Sequence, residues 1–221
     1  MKKLLRKSQI SKHGFTLAEV LITLVIIGVI AAVTIPTVIN NTKKQEYVSK
    51  LKKTYSVLAQ ATNKIIAEEG NVENWTTSSD NVYSLYKKQM SVTKDCGAAT
   101  GCFEQASNLK SATGELANYS PWNSTDGRRF IISDGTLVRI TNELSPNCDV
   151  DDTNRSGYVC ALIMVDINGG KKPNQFGRDI FWFALKKDGL HPRGCEGNSA
   201  HCLNWGDDCS CKVLKEGAMN Y

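Results

Sequence analysis

The stretch KHGFTLAEVLITLVIIGVIAAVTIPTVI, residues 12–39, decides how the rest of the chain is read. Between 15 and 35 the only charged residue is Glu19, and Thr16, Thr23 and Thr34 are the only other polar side chains. About 20 helical residues at roughly 1.5 Å each cover the hydrocarbon core of a bilayer. A polar stub, residues 1–14, precedes this run and holds Lys2, Lys3, Arg6, Lys7 and Lys12 but no acid. A plain transmembrane anchor would keep that basic flank in the cytoplasm and send the remainder outward. An ordinary secretory signal would instead be cut near Ala32, after the small-residue site at Val29 and Ala31. Against the signal peptide stand the length of the run, beyond the roughly 7–15 residues of an h-region, and its carboxylate.

Glu19 is the discriminating residue. A carboxylate inside a membrane helix costs on the order of 2.5–3.5 kcal/mol on insertion scales, and less near an end. Nothing basic lies within helical reach on its C-terminal side, so its partner is expected from another chain or from a new amino terminus. Cleavage between Gly14 and Phe15 would create that terminus four residues before the carboxylate.

With those residues in view, KHGFTLAEVLI resembles the prepilin leader of type IV pilins and of the pseudopilins of type II secretion systems. The resemblance implies a cut after Gly14 by a membrane peptidase, which then methylates the amino group of Phe15. It further implies that Glu19 pairs with the amino terminus of a neighbouring subunit and sets register during assembly. Gly28 and Pro36 bracket a β-branched stretch, VIAAVTI. The bland reading is a kinked membrane helix, where both residues are tolerated. The resemblance implies instead that the helix unwinds between them in a filament. The implied partners are other pilin or pseudopilin subunits, the prepilin peptidase/methyltransferase, an inner-membrane assembly platform and the lipid bilayer. The implied location is the bacterial inner membrane, single-pass with a cytoplasmic N-terminus, and then a periplasmic or cell-surface filament.

Composition agrees with an exported chain. The formal net charge of +5 belongs entirely to the stub: beyond it, 22 basic residues face 22 acidic ones. The global charge signal of a nucleic-acid binder is therefore absent. All eight cysteines, at 96, 102, 148, 160, 195, 202, 209 and 211, lie beyond residue 95, downstream of the apolar run. That distribution suits disulfides formed outside the cytoplasm.

After Asn40 the chain turns polar but keeps a helical period. Val48, Leu51, Tyr55, Leu58, Thr62 and Ile65 form an apolar stripe that ends near Glu69, with Gly70 as a stop. One long helix broken near Pro36 is expected, its second half needing a sheet to cover the stripe. Residues 70–125 are rich in Ser, Thr, Asn and Gly, with a short helical candidate at 80–90. RRFIISDGTLVRIT is a hairpin around Asp134-Gly135. Buried strands are expected at 157–167 and 179–189. Three or four antiparallel strands on an amphipathic helix make an α+β fold. The organisation expected is a leader at 1–14, a transmembrane and assembly helix at 15–39, an amphipathic helix at 40–69 and a head at 70–221. This is the pilin-like architecture that the resemblance implies, with disulfide-stapled loops.

Few residues are marked out for chemistry. In DINGGKKPNQFGRD, residues 166–179, Asp166, Asn168 and Asp179 are hard oxygen ligands of the kind calcium takes, but the terminal bidentate glutamate of a full calcium loop is missing. Major pseudopilins carry calcium in a comparable loop, so the resemblance makes it a possible cofactor. The alternative is a set of Asx-turns shaped by Gly169, Gly170 and Pro173. Cys96 and Cys102 enclose a tight loop and invite local pairing. Cys148 and Cys160 bracket another loop. Cys195, Cys202, Cys209 and Cys211, with His191 and His201, lack the close pair of a zinc motif and read as disulfides that staple a loop-rich C-terminal segment onto the sheet. Eight cysteines allow 105 pairings, so connectivity stays open. No G-x-S-x-G, H-E-x-x-H or phosphate-loop pattern occurs, and an enzyme is not expected. The competing class is an uncleaved, membrane-anchored extracellular binding module.

Overall fold

The computed structural model describes residues 14–99, 109–116, 127–152, 156–195, 202 and 209–219. It comprises two compact units, Met1–Thr42 and Lys43–Tyr221. The first helix, α1, runs from Leu17 to Glu69 and contains Pro36 without interruption. The break expected near Pro36 is thus not present in the single chain. Proline removes one backbone hydrogen bond at a cost of about 3 kcal/mol, and the intact turns on either side hold the helix through it.

In the second unit the expected stripe is the buried one. Tyr47, Val48, Leu51, Thr54, Leu58, Ala61, Thr62 and Ile65 face inward, while the Tyr55 ring stacks on Phe183 at 5.6 Å. Gly70 ends the helix at φ +84°, its N–H donating to the Ile66 carbonyl, a left-handed stop open chiefly to glycine. Two short helices follow, α2 (Val72–Trp75) and α3 (Ser79–Gln89). Ser78 caps α3 by accepting from the Asn81 N–H.

Among the described residues eight strands follow: β1 (Val92–Gly97), β2 (Arg128–Ile132), β3 (Leu137–Leu144), β4 (Val150–Asp152), β5 (Gly157–Val159), β6 (Ala161–Asp166), β7 (Ile180–Lys186) and β8 (Gly189–Pro192). The main sheet has the order β1-β2-β3-β6-β7-β8, with every neighbouring pair antiparallel. The pair β4-β5 forms a separate ribbon. The sheet is wider than the three or four strands expected. Strand 157–167 is split at Cys160 into β5 and β6, and Asp188-Gly189 closes a further hairpin to β8.

Both faces of the central strands are covered. Ala161, Ile163, Val165, Phe181, Phe183 and Leu185 pack in one core with the α1 stripe and α3. The alternate residues Leu162, Met164, Ile180, Trp182 and Ala184 pack in a second core with Leu109, Val159 and Phe176. Period-2 alternation therefore serves two cores, and β6 and β7 read as continuous apolar runs for that reason. A last helix, α4 (Cys209–Glu216), lays Cys209, Ser210, Cys211 and Val213 inward. The Ser210 hydroxyl donates to the Trp182 carbonyl at 2.6 Å and accepts the Trp182 N–H at 3.1 Å.

Disulfides join Cys148 to Cys160, Cys195 to Cys211 and Cys202 to Cys209. The four late cysteines therefore bridge within the C-terminal segment, which corrects the expectation that they staple it onto the sheet. Cys96 is itself disulfide-bonded, whereas Cys102 lies outside the described residues.

Candidate functional site

The described residues of the amino-terminal unit leave their large apolar side chains exposed. Every large apolar residue from Phe15 to Ile39 is exposed, the least of them, Val20, by 43%. Among the described residues α1 is the one helix long and apolar enough to cross a membrane. The threonine hydroxyls of its apolar stretch are satisfied within it. The hydroxyls of Thr23, Thr34 and Thr37 donate to carbonyls three or four residues back, those of Val20, Ile30 and Val33. A threonine so engaged presents its methyl group outward and suits an apolar medium. Gly28 has open space around it.

Glu19 closes the first turn. Its Oε2 accepts from the Thr16 N–H at 2.8 Å and from the Thr16 hydroxyl at 2.7 Å, while the Glu19 N–H donates to the Thr16 Oγ1 at 3.2 Å. This is a reciprocal capping box, T-x-x-E, which satisfies amide groups that a helix start otherwise leaves open. The expectation that Glu19 finds its partner only outside its own turn is corrected here. Its hydrogen bonds are made locally, and only its charge lacks a counter-charge among the described residues. The T-x-x-E signal stands in the sequence at 16–19. Gly14, the residue before the expected cut, lies just ahead of this turn with open space around it.

The head loop brings Asp166, Asn168 and Asp179 together. The register of β6 on β7, Asp166 opposite Ile180, sets the two carboxylates side by side. Both are fully buried. Asp166 accepts from the N–H groups of Asn168 and Gly170, each at 3.0 Å. Asp179 accepts from Asn168 Nδ2 at 2.8 Å, the Asn174 N–H at 2.9 Å and the Gln175 N–H at 2.6 Å. Burial, and secondly the negative charge of Asp179, push Asp166 up to about 7. Burial pushes Asp179 up to about 6 against those N–H donors. Gly169 is held at φ +77°, where a Cβ would meet the Gly135 carbonyl at 2.7 Å, so the loop locks onto the β2-β3 turn. Of the Asx-turns expected of this loop one is present, Asp166 Oδ1 accepting the Asn168 N–H. Asn168 Oδ1 is also buried and without a hydrogen-bond partner. Among the described residues no group of three or more His, Cys, Asp or Glu is assembled.

A buried pair escaped the sequence reading: Arg193 grips Asp152 with two bonds, at 3.0 and 2.7 Å, and lies over the Trp182 ring at 5.3 Å. Nothing in the sequence spacing marks it. It ties the β4-β5 ribbon to the segment after β8.

The amino-terminal helix, its cap and the helix-on-sheet head together define a pilin-type subunit: residues 10–35 carry the prokaryotic N-terminal methylation motif, the prepilin signature of type IV pilins and pseudopilins. Residues 37–199, most of the chain, match a family of unknown function, DUF6613, and the chain belongs to that family. No curated protein and no solved structure matches it. Motif and fold are those of a membrane-anchored precursor and a structural subunit rather than of an enzyme.

Proposed function

We propose that this chain is a pilin or pseudopilin of a type IV pilus or type II secretion pseudopilus, cut after Gly14, N-methylated at Phe15 and polymerised through its amino-terminal helix. Its cysteine-rich head favours a minor subunit over a major one. The observation that carries the reading is an apolar helical stretch that bears a methylation motif and leaves its large side chains exposed among the described residues. Lipid solvates that helix in the free subunit and neighbouring helices solvate it in a fibre, so assembly need never expose it to water. Glu19 supplies the one charge in the apolar run and pairs with a neighbour's amino terminus. Gly28 and Pro36 lower the cost of unwinding the turns between them in the fibre.

The mass and sequence of the mature amino terminus test this reading. N-methylated Phe15 is the expected result. An intact Met1 would sink the proposal in favour of an uncleaved anchored binding module, and a start near Ala32 would indicate a secreted protein.

Asp166, Asn168 and Asp179 are proposed as a calcium site. Support comes from Asn168 Oδ1, buried with no donor, and from two buried carboxylates that repel each other. Calcium takes about 6–8 oxygens, so carbonyl or water oxygens would complete the set. Bound there, the ion would neutralise the pair and pin the loop to the sheet.

A further inference from the structure

A second feature of the head loop is basic. The loop segment 174–176 pairs with residues 110–112: the Lys110 N–H donates to the Asn174 carbonyl, the Phe176 N–H to the Lys110 carbonyl, and Gln175 Nε2 to the Ser111 and Ala112 carbonyls. Against this pairing lies a cavity of about 90 Å³ lined by Lys44, Ala112, Gln175, Phe176, Arg178 and Met219. That is far above the roughly 10–15 Å³ needed for one water and far below the roughly 300–1,000 Å³ of a cleft for an organic ligand. It suits a small polyatomic ion.

The lining selects the sign. Among the described residues two cations and no acid contribute to the wall. Arg178 Nε is buried and has no hydrogen-bond partner. Lys44 Nζ reaches only the Met219 carbonyl, at 3.0 Å. Neither cation has an ion pair among the described residues. The nearest acid on α1, Glu46, is held by Lys50 at 2.9 Å and also feels Lys171 and Lys43. Three further lysines, Lys43, Lys171 and Lys172, are exposed on the same two segments.

The sequence position of Lys44 gives the source of the anion. It follows the last apolar residue, Ile39, by five residues, about 8 Å at the helical rise. Each headgroup layer is about 5–8 Å thick, so a lysine this far along the helix from the apolar run falls among the lipid phosphates. We infer that the Lys44–Arg178 cavity is a phosphate site that seats a phospholipid headgroup against the head of the membrane-held subunit. Leaving the bilayer then requires releasing that phosphate, which links extraction of the subunit to the state of this loop.

The inference rests on residues 15–39 lying in a bilayer, and its test separates the two. The full-length chain is placed in nanodiscs of phosphatidylglycerol or of a phosphate-free glycolipid, and backbone hydrogen exchange is followed at 174–178. A chain that does not enter either disc refutes the membrane reading itself. With the chain inserted, phosphatidylglycerol is expected to slow exchange by roughly twentyfold, about fivefold for each cation at an anionic surface. Lys44→Gln with Arg178→Gln should abolish the difference at unchanged thermal stability, and Arg178→Lys should restore part of it. Equal exchange in both discs, or a double variant that behaves like the parent, overturns the site. A parallel titration of inorganic phosphate into protein held in a phosphate-free detergent distinguishes sources. Protection by free phosphate without protection by lipid overturns the headgroup assignment.

Discussion

Leu24 and Leu58 lie on one continuous helix and have opposite surroundings. Leu24 is 59% exposed and Leu58 is fully buried. The same contrast holds for the whole of the two units: in the first almost nothing apolar finds a partner in its own chain, and in the second the α1 stripe is enclosed by the sheet. Helix propensity does not separate them, because both halves are helical. What differs is the solvent each half was composed for, lipid and neighbouring helices in one case and a protein core in the other. Stability of the head and competence to assemble should therefore respond to different substitutions.

The largest effect on the head is expected from Leu58→Ala. Emptying a fully buried leucine costs about 2–5 kcal/mol, which lowers the melting temperature of a domain this size by roughly 5–15 °C. Leu24→Ala should leave that melting temperature unchanged while weakening packing between subunits. Thermal unfolding of the two full-length variants in the same detergent checks both halves. Equal losses would mean that the two stretches of α1 share one core. Removing the Cys195–Cys211 bridge, which spans 16 residues, comes next, at about 3 kcal/mol for a loop of that length. The head of Cys195→Ser with Cys211→Ser should still fold, with its loss read by denaturant titration, and processing at Gly14 should persist.

The two units were also unequally legible. The membrane stretch is readable to the residue because a run of apolar side chains interrupted by one acid has few physical explanations. The α1 stripe, the Asp134-Gly135 turn and the two central strands are readable from their period. β1 is not: VTKDCG keeps a single buried residue, Cys96, and shows no alternation. β8 is four residues long and looks like the tail of a turn. The T-x-x-E box at Thr16 stands in the letters, but inside an apolar run the charge of Glu19 is the stronger signal than its hydrogen bonds. The anion cavity and the Arg193–Asp152 pair join segments more than 40 residues apart, and no local pattern announces such contacts.

A smaller change in the head should follow the Asp166 and Asp179 carboxylates. Both are held above the ordinary carboxylate range, near 7 and 6, so the metal-free folded head holds protons that the unfolded chain gives up near 4. The stability these two groups contribute should be complete below about pH 4 and be lost as pH rises from there through 6 to 7. Calcium should reverse that slope up to about pH 7 and stabilise the head by about 2.7 kcal/mol at a hundredfold excess over its Kd, which a raised melting temperature reports. Chelation should remove the gain. A flat pH profile would show that the two carboxylates are not held protonated together, and the absence of any calcium response would leave the loop as a set of turns.

The smallest change to the head, and the sharpest for the membrane half, is Glu19→Gln. Glutamine keeps the capping box, because its amide oxygen accepts from the Thr16 N–H as the carboxylate does. The variant removes the charge alone, whereas Glu19→Ala removes charge and cap together. Cap loss costs about 1 kcal/mol at a helix start. If the charge pairs with a neighbour's amino terminus, both variants should be processed normally and both should fail to enter filaments, as counted by electron microscopy. If Glu19 matters only as a cap, glutamine should assemble like the parent and alanine should not. Since the hydrogen bonds to Thr16 are already made within one chain, assembly of the glutamine variant would leave the intersubunit pairing without support. Failure of that variant alongside normal cleavage would place the function of Glu19 in its charge.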